Sequence, residues 1–161
     1  GYSSKDLIKM LNKESGLLGL SGISNDMRDL EKAAEEGNHR AKEAIDCYAY
    51  RVRKYIGAYA ANLIKVDILV FTGGIGQNGW RMRERICKRL KNLGIFLDHK
   101  LNKEMGSKEG IVSEAYSPVT VAVIPTNEEL QIAIDVYELA FGGESAFRRR
   151  QTDFNVGMKR S

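Results

Sequence analysis

The stretch Val66–Asn78, reading Val-Asp-Ile-Leu-Val-Phe-Thr-Gly-Gly-Ile-Gly-Gln-Asn, constrains the chain more than any other. Five of its first six residues are apolar, most of them β-branched or aromatic, which predicts a strand buried on both faces. At Thr72-Gly73-Gly74 the missing side chains let the backbone turn sharply and lie close against a ligand. From about Gly79, the residues Met82, Ile86, Leu90 and Leu93 recur at spacings of three and four and predict a helix. Strand, glycine turn and helix start, in that order, build nucleotide sites at the carboxyl ends of strands in α/β proteins. The same glycines also suit a plain tight connection, and these residues alone leave both readings open. No acidic residue ends a second strand at the distance the dinucleotide fingerprint needs, and no Gly-Lys-Ser/Thr follows as a phosphate loop would require.

A chain of 161 residues is one domain or part of a larger one, long enough to bury a core. Its apolar fraction of 43% and charged fraction of 29% are those of a soluble globular protein, and a cytoplasmic location is expected. No apolar run approaches the ~20 residues that span a bilayer. Gly1–Asp6 lacks the basic and then apolar layout of a secretory signal, and without an initiator Met the chain is not expected to begin at a natural start. Cys47 and Cys87 each fall in a helical pattern among apolar neighbours, so buried free thiols are expected rather than a disulfide or a metal site. Of the formal charge of +4, residues 144–161 hold +3, leaving the body nearly neutral. A nucleic-acid footprint would be a basic face on the folded body; here the charge belongs to the tail, and neither nucleic acid nor membrane is an expected partner.

Leu7, Ile8, Met10 and Leu11 predict a short helix that Lys13-Glu14-Ser15-Gly16 breaks. A glycine-rich stretch, Leu17–Asp26, ends in Ser24-Asn25-Asp26, which caps a helix Met27–Glu36 closed by Gly37-Asn38. For Asp26 capping alone suffices on this reading. A long helix runs from about His39 to Ile64, its stripe including Ala41, Ala44, Ile45, Tyr48, Ala49, Val52, Tyr55, Ile56, Tyr59 and Leu63, with the tyrosines as core and edge packing. Gly94 closes the helix after the glycine turn. Ile95–Leu97 is a short strand, Asp98–Gly110 a polar, loop-like stretch with room for one helical turn, and Ile111-Val112 a possible strand. Thr120–Ile124 is a second buried strand, ended by Pro125. Thr126-Asn127 then caps a helix with Leu130, Ile132, Ala133, Val136 and Leu139 facing the core. Glu128 and Glu129 in its first turn suit the helix dipole, and equally a carboxylate there could hold Mg²⁺ on a nucleotide.

Five segments together resemble the C-terminal part of the acetate/propionate/butyrate kinase family. They are Ser15–Gly22, Ser24–Asp29, Ala49–Tyr59, Phe71–Asn78 and Ile124–Leu130, in family order from about residue 5 to residue 139. The resemblance implies an α/β chain forming part of an actin-like, sugar-kinase-type (ribonuclease H-like) domain, the C-terminal half of an acetate kinase. It implies a phosphotransferase that moves a phosphoryl group reversibly between ATP and acetate, giving ADP and acetyl phosphate. The nucleotide is expected along Asp26, Met27 and Arg28 and against Gly74, Ile75, Gly76, Gln77 and Asn78, with Mg²⁺ on Glu128. The family turn usually reads Gly-Glu-Asn, whereas Gly76-Gln77-Asn78 stands here, and losing that charge should alter ribose or adenine contacts modestly. Residues 1–143 are expected to be the nucleotide-binding domain with an incomplete sheet, and 144–161 a disordered basic tail outside the family pattern. The family's substrate-side arginines, histidine and catalytic aspartate precede the matching region. No catalytic residue is therefore expected here, and the isolated fragment is expected to be inactive. The expected partners are the N-terminal half, a second copy in a homodimer, and acetate or propionate. The alternatives are a truncated, non-catalytic ATP/ADP-binding domain and, more remotely, a nucleic-acid or partner-binding module built on Arg148–Arg150.

Overall fold

The computed structural model describes residues 1–141. The expected disordered tail, 144–161, lies outside the described residues. The chain divides into two compact units, the first ending at Pro125 and the second beginning at Thr126.

In the first unit, α1 (Ser4–Lys9) runs on through a π-helical turn at Met10–Glu14. The glycine-rich stretch that follows opens with a helix, α2, at Gly16–Ser21, closed by Gly22 in the left-handed conformation. Its glycines are tolerated because α2 packs on the long helix α4 (His39–Ala60), whose surface supplies stability that local propensity does not. Arg40 of α4 lies against Gly22 and donates from Nη2 to the Leu20 carbonyl at 3.1 Å, closing the end of α2. Helix α3 (Met27–Glu35) starts on Asp26, whose carboxylate accepts the Arg28 backbone N–H, and Asn38 caps α4 by accepting from the Ala41 N–H at 3.0 Å.

The small residues Ala41, Ala44 and Ala49 are buried with Ile45, which lets the neighbouring helices approach α4 closely. Beyond Ala49 the expected stripe opens: Val52 and Ile56 are half-buried, whereas Tyr55, Tyr59 and Leu63 are exposed. The reason is length. Twenty-two residues extend about 33 Å, and the helices packed on α4, namely α2, α3 and one at Trp80–Cys87, have only six, nine and eight residues and leave its last turns uncovered. The helix also stops at Ala60, short of Ile64.

The sheet has three strands in the order β1-β3-β2, with β1 at Ile68–Phe71, β2 at Gly110–Ile111 and β3 at Thr120–Val123. β1 and β3 are parallel, Ile68 opposite Thr120 and Phe71 opposite Val123; β2 is antiparallel to β3. Val121, Ala122 and Val123 are all buried, as expected of the second run. The first run is not buried on both faces: Ile68 is 52% and Val70 40% exposed, and only Phe71 is in the core. Ile68 and Val70 project from one face of β1 and Leu69 and Phe71 from the other, so the core covers a single face of this strand, whereas β3 is buried on both.

Between β1 and β3 the chain forms α5 (Gly73–Asn78), α6 (Trp80–Cys87), a 3₁₀ turn at Lys91–Leu93 and α7 (His99–Met105). The polar stretch 98–110 thus contains a helix of seven residues, longer than the single turn expected, started by Asp98 accepting from the Leu101 N–H at 2.8 Å. Ile95 and Leu97 make single bridges to Val119 and Ser113 rather than a strand. Cys87 is buried as expected, Cys47 only half so.

The second unit holds α8 (Glu128–Phe141), where Asn127 Oδ1 accepts from the Leu130 N–H at 3.0 Å, the expected cap. Leu130, Ile132 and Val136 are exposed rather than facing a core, and the Leu139 side chain lies outside the described residues.

Candidate functional site

Two segments that lie about 50 residues apart in sequence meet in a cleft of about 510 Å³. The start of α3 contributes Asn25, Asp26, Met27 and Arg28; α5 and the residue after it contribute Gly74, Ile75, Asn78 and Gly79. A volume of this size lies in the range of small-ligand pockets.

The α3 wall is fixed by hydroxyls. Ser21 Oγ accepts from the Ile23 N–H at 3.0 Å and donates to the Ser24 carbonyl at 3.3 Å. Ser24 Oγ in turn accepts from the Asp26 N–H at 3.0 Å and donates to Asp29 at 2.7 Å. Small hydroxyl residues satisfy backbone donors locally in this way, which is why the cluster forms a turn rather than extending the helix. Asp26 and Arg28 then grip each other. Arg28 Nε donates to Oδ1 at 3.0 Å, Nη2 donates to Oδ2 at 2.6 Å, and the Arg28 backbone N–H donates to Oδ1 at 2.8 Å. The Arg28 guanidinium and then its N–H hold the Asp26 carboxyl down to about 2, while the carboxylate raises the Arg28 pKa. Arg28 is otherwise open to solvent, its side chain 88% exposed, so its remaining donors face outward.

That depressed value has a sign. A carboxyl whose pKa falls on folding favours the folded state when ionised, fully above the unfolded value of 3.8, and the contribution is lost as pH falls through about 2. The difference in denaturant midpoint between the natural chain and Asp26→Asn is expected to be constant above about pH 5 and to close between 3.8 and about 2. A gap that persists at the lowest pH would show that the carboxylate's charge is not what distinguishes the two.

The opposite wall is made by glycine. The predicted glycine turn is a helix that begins at once after β1, Gly73 entering it at φ 68°. At Gly74 a Cβ would meet nothing within 4 Å, whereas at Gly79 it would stand 2.6 Å from the Ile75 carbonyl oxygen. Gly79 is therefore required by the backbone, and Gly74 leaves open space on the cleft. Gly76 backs onto Phe71 and does not line the cleft. Gln77 points elsewhere as well, its Nε2 donating to the Ser107 carbonyl at 3.1 Å. The Gln-for-Glu difference thus stands away from the cleft wall. Asn78 turns its Nδ2 back to the Gly74 carbonyl at 3.0 Å. Of the eight expected nucleotide-side residues, Asp26, Met27, Arg28, Gly74, Ile75 and Asn78 come together; Gly76 and Gln77 lie behind them.

Sequence reading left out Asn25 and Gly79 as lining residues, and Arg83 and Asn102 behind the wall. A signal existed for Arg83: it falls in register with the buried Ile86, Cys87 and Leu90, on the apolar side of its helix. Burial pushes the neighbouring Cys87 thiol up to about 12, which leaves it un-ionised and inert at neutral pH.

Glu128 opens α8 in the second unit. Among the described residues no group of three or more His, Cys, Asp or Glu could enclose a metal ion. A lone carboxylate fits Mg²⁺ of the kind held by one or two carboxylates and completed by nucleotide phosphates and water. None of the described helices is long and apolar enough to cross a membrane.

The cleft combines a side-chain-free floor, the apolar Ile75 and Met27, and a cation at its rim. That chemistry accepts a flat ring with an anionic extension. Known proteins carry the same arrangement of chain. The model of the Acetokinase family matches residues 1–134. An acetate kinase of Geobacillus kaustophilus is 53% identical over 140 residues, 87% of this chain and 35% of that protein. The crystal structure of Porphyromonas gingivalis acetate kinase superposes with a TM-score of 0.79 at 47% identity, covering 84% of this chain and 34% of that one. A propionate kinase from Francisella tularensis gives 0.75 at 43% identity, covering 83% and 33%. The chain spans about a third of the length of these relatives, and its mixed helix-and-sheet fold is that of acetate and propionate kinases. The chain belongs to the acetokinase family.

Proposed function

We propose that this chain is the nucleotide-binding part of a reversible phosphotransferase that moves a phosphoryl group between ATP and acetate or a similarly short carboxylate. The observation that carries the reading is the meeting of Asp26–Arg28 with Gly74, Ile75 and Asn78 in one cleft, from segments far apart in sequence. The base and sugar lie against the glycine wall, where no side chain holds them off, and Asp26 and Arg28 line the other side. Glu128 would hold Mg²⁺, which when bound would supply neutralising charge to the phosphates. In this reading the acyl-side groups come from another part of the protein, so the chain alone binds nucleotide without turning it over. Acetate and propionate kinases among the relatives support the reaction class, and the setting we infer is cytoplasmic.

Calorimetric titration of the full chain with Mg-ADP tests this. Saturable binding is expected, weakened by about tenfold or more in Asp26→Ala, since a hydrogen bond to a charged group is worth about 1.5–3 kcal/mol. No heat with ADP at millimolar concentration from a chain that unfolds cooperatively would sink the nucleotide reading.

A further inference from the structure

Arg83 is completely buried, yet no carboxylate among the described residues pairs with it. Its N–H groups are met by uncharged oxygens instead. Nε donates to Asn102 Oδ1 at 2.7 Å. Nη1 donates to the carbonyls of Gly76 and Gln77 at 2.8 and 2.6 Å. Nη2 donates to those of Asn102 and Gly106 at 3.2 and 2.9 Å. Asn102, also fully buried, passes the connection on, its Nδ2 donating to the Trp80 carbonyl at 2.9 Å. Burying a guanidinium without an anion is costly unless every donor is satisfied, and here the fork geometry satisfies all of them.

The oxygens it gathers say what it holds. Gly76 and Gln77 lie in the carboxyl half of α5, where helix carbonyls lack intrahelical partners and favour a cation. Six residues cannot keep a helix in place by themselves. The Gln77 side chain reaches the same backing segment, at Ser107, so residues 102–107 support α5 from behind through two side chains. Arg83 lines no part of the cleft, while Gly74, Ile75 and Asn78 of α5 do.

We propose that Arg83 is a positioning residue of the cleft: by tying the Gly76 and Gln77 carbonyls to Asn102 and Gly106, it holds the α5 wall where a nucleoside is bound. This rests on the nucleotide reading above. A merely structural arginine would support the whole core; this one supports one wall.

Arg83→Lys keeps the charge but offers one compact ammonium, which cannot reach all the acceptors of α5 and of residues 102–106 at once. Asn102→Ala removes the Nε acceptor and the Trp80 contact and leaves the other arginine contacts in place. Both full-length variants are compared with the natural chain by amide hydrogen exchange and by Mg-ADP titration. In Arg83→Lys, exchange over residues 73–79 is expected to accelerate about tenfold or more while residues 119–124 stay unchanged. ADP affinity is expected to fall about 10- to 100-fold. Asn102→Ala should move both in the same direction by less. Unchanged exchange at 73–79, or an equal rise in both segments, would overturn the proposal. So would failure of both variants to fold, since Arg83 would then be holding the core. If the natural chain binds no ADP, the nucleotide reading fails, and the exchange pattern still decides whether Arg83 clamps this wall.

Discussion

Replacing Gly74 by valine is expected to leave the fold intact and to weaken Mg-ADP binding by about 100-fold or more, roughly 2.7 kcal/mol. The two halves of that result have separate causes. A Cβ at Gly74 meets no atom within 4 Å, and its backbone is ordinary right-handed helix, so neither clash nor strain opposes the new side chain. Valine is also a slightly better helix former than glycine, by a few tenths of a kcal/mol. The isopropyl group must therefore stand in the open space of the cleft, where the proposed nucleoside lies. Gly79→Val supplies the contrast. There the Cβ would fall 2.6 Å from the Ile75 carbonyl oxygen, and the backbone has to move. That variant should lose about 1–3 kcal/mol of stability along with binding. Thermal unfolding and ADP titration on both separate the cases. A Gly74→Val chain that is stable and binds ADP normally would show that this cleft is not where the nucleotide sits.

The contrast between these glycines also shows how far the sequence could be read. The motif Thr72–Asn78 marked where the chain turns after β1, but its glycines suited a plain tight connection equally well, and only the family resemblance pointed to a nucleotide wall. It could not show that the glycines form a helix, since local propensity argues against one and the tertiary support from Arg83 and Phe71 decides it. Asp26 and Asn127 were legible as caps because capping is a local event; Asn38 was legible only as the stop of α3, although it also caps α4. The ion pair of Asp26 with Arg28 falls two residues apart, where helix periodicity gives no hint of contact. Val66–Phe71 and Thr120–Ile124 are both mostly apolar runs rich in β-branched residues, yet one is an edge and the other the centre of the sheet. Neighbour order is a long-range property, and composition carries none of it. Helix α7 was legible as no more than one turn because its residues are polar; it is held by the buried Asn102, a side chain that pattern reading assigns to solvent.

The second large effect is expected at Leu30. Truncation to alanine should cost about 2–5 kcal/mol, a large share of the 5–15 kcal/mol that holds a typical domain folded. Leu30 has no exposed surface, and α3 has little else to dock with: Met27 is its other buried residue, and Ala33 and Ala34 are only partly covered. Nine residues with so few apolar positions would not stay helical alone, so the packing of Leu30 into the core shared with α4 is what keeps Asp26 and Arg28 at the cleft. The denaturant midpoint should fall accordingly, whereas Ile8→Ala, at an exposed position on α1, should shift stability by no more than about 0.5 kcal/mol. ADP binding adds the decisive comparison. If α3 loosens before the rest of the core, affinity in Leu30→Ala drops at temperatures where the chain is still folded. If α3 leaves only with the core, affinity stays normal until the unfolding transition, and the α3 wall is then part of the cooperative unit rather than a piece docked onto it.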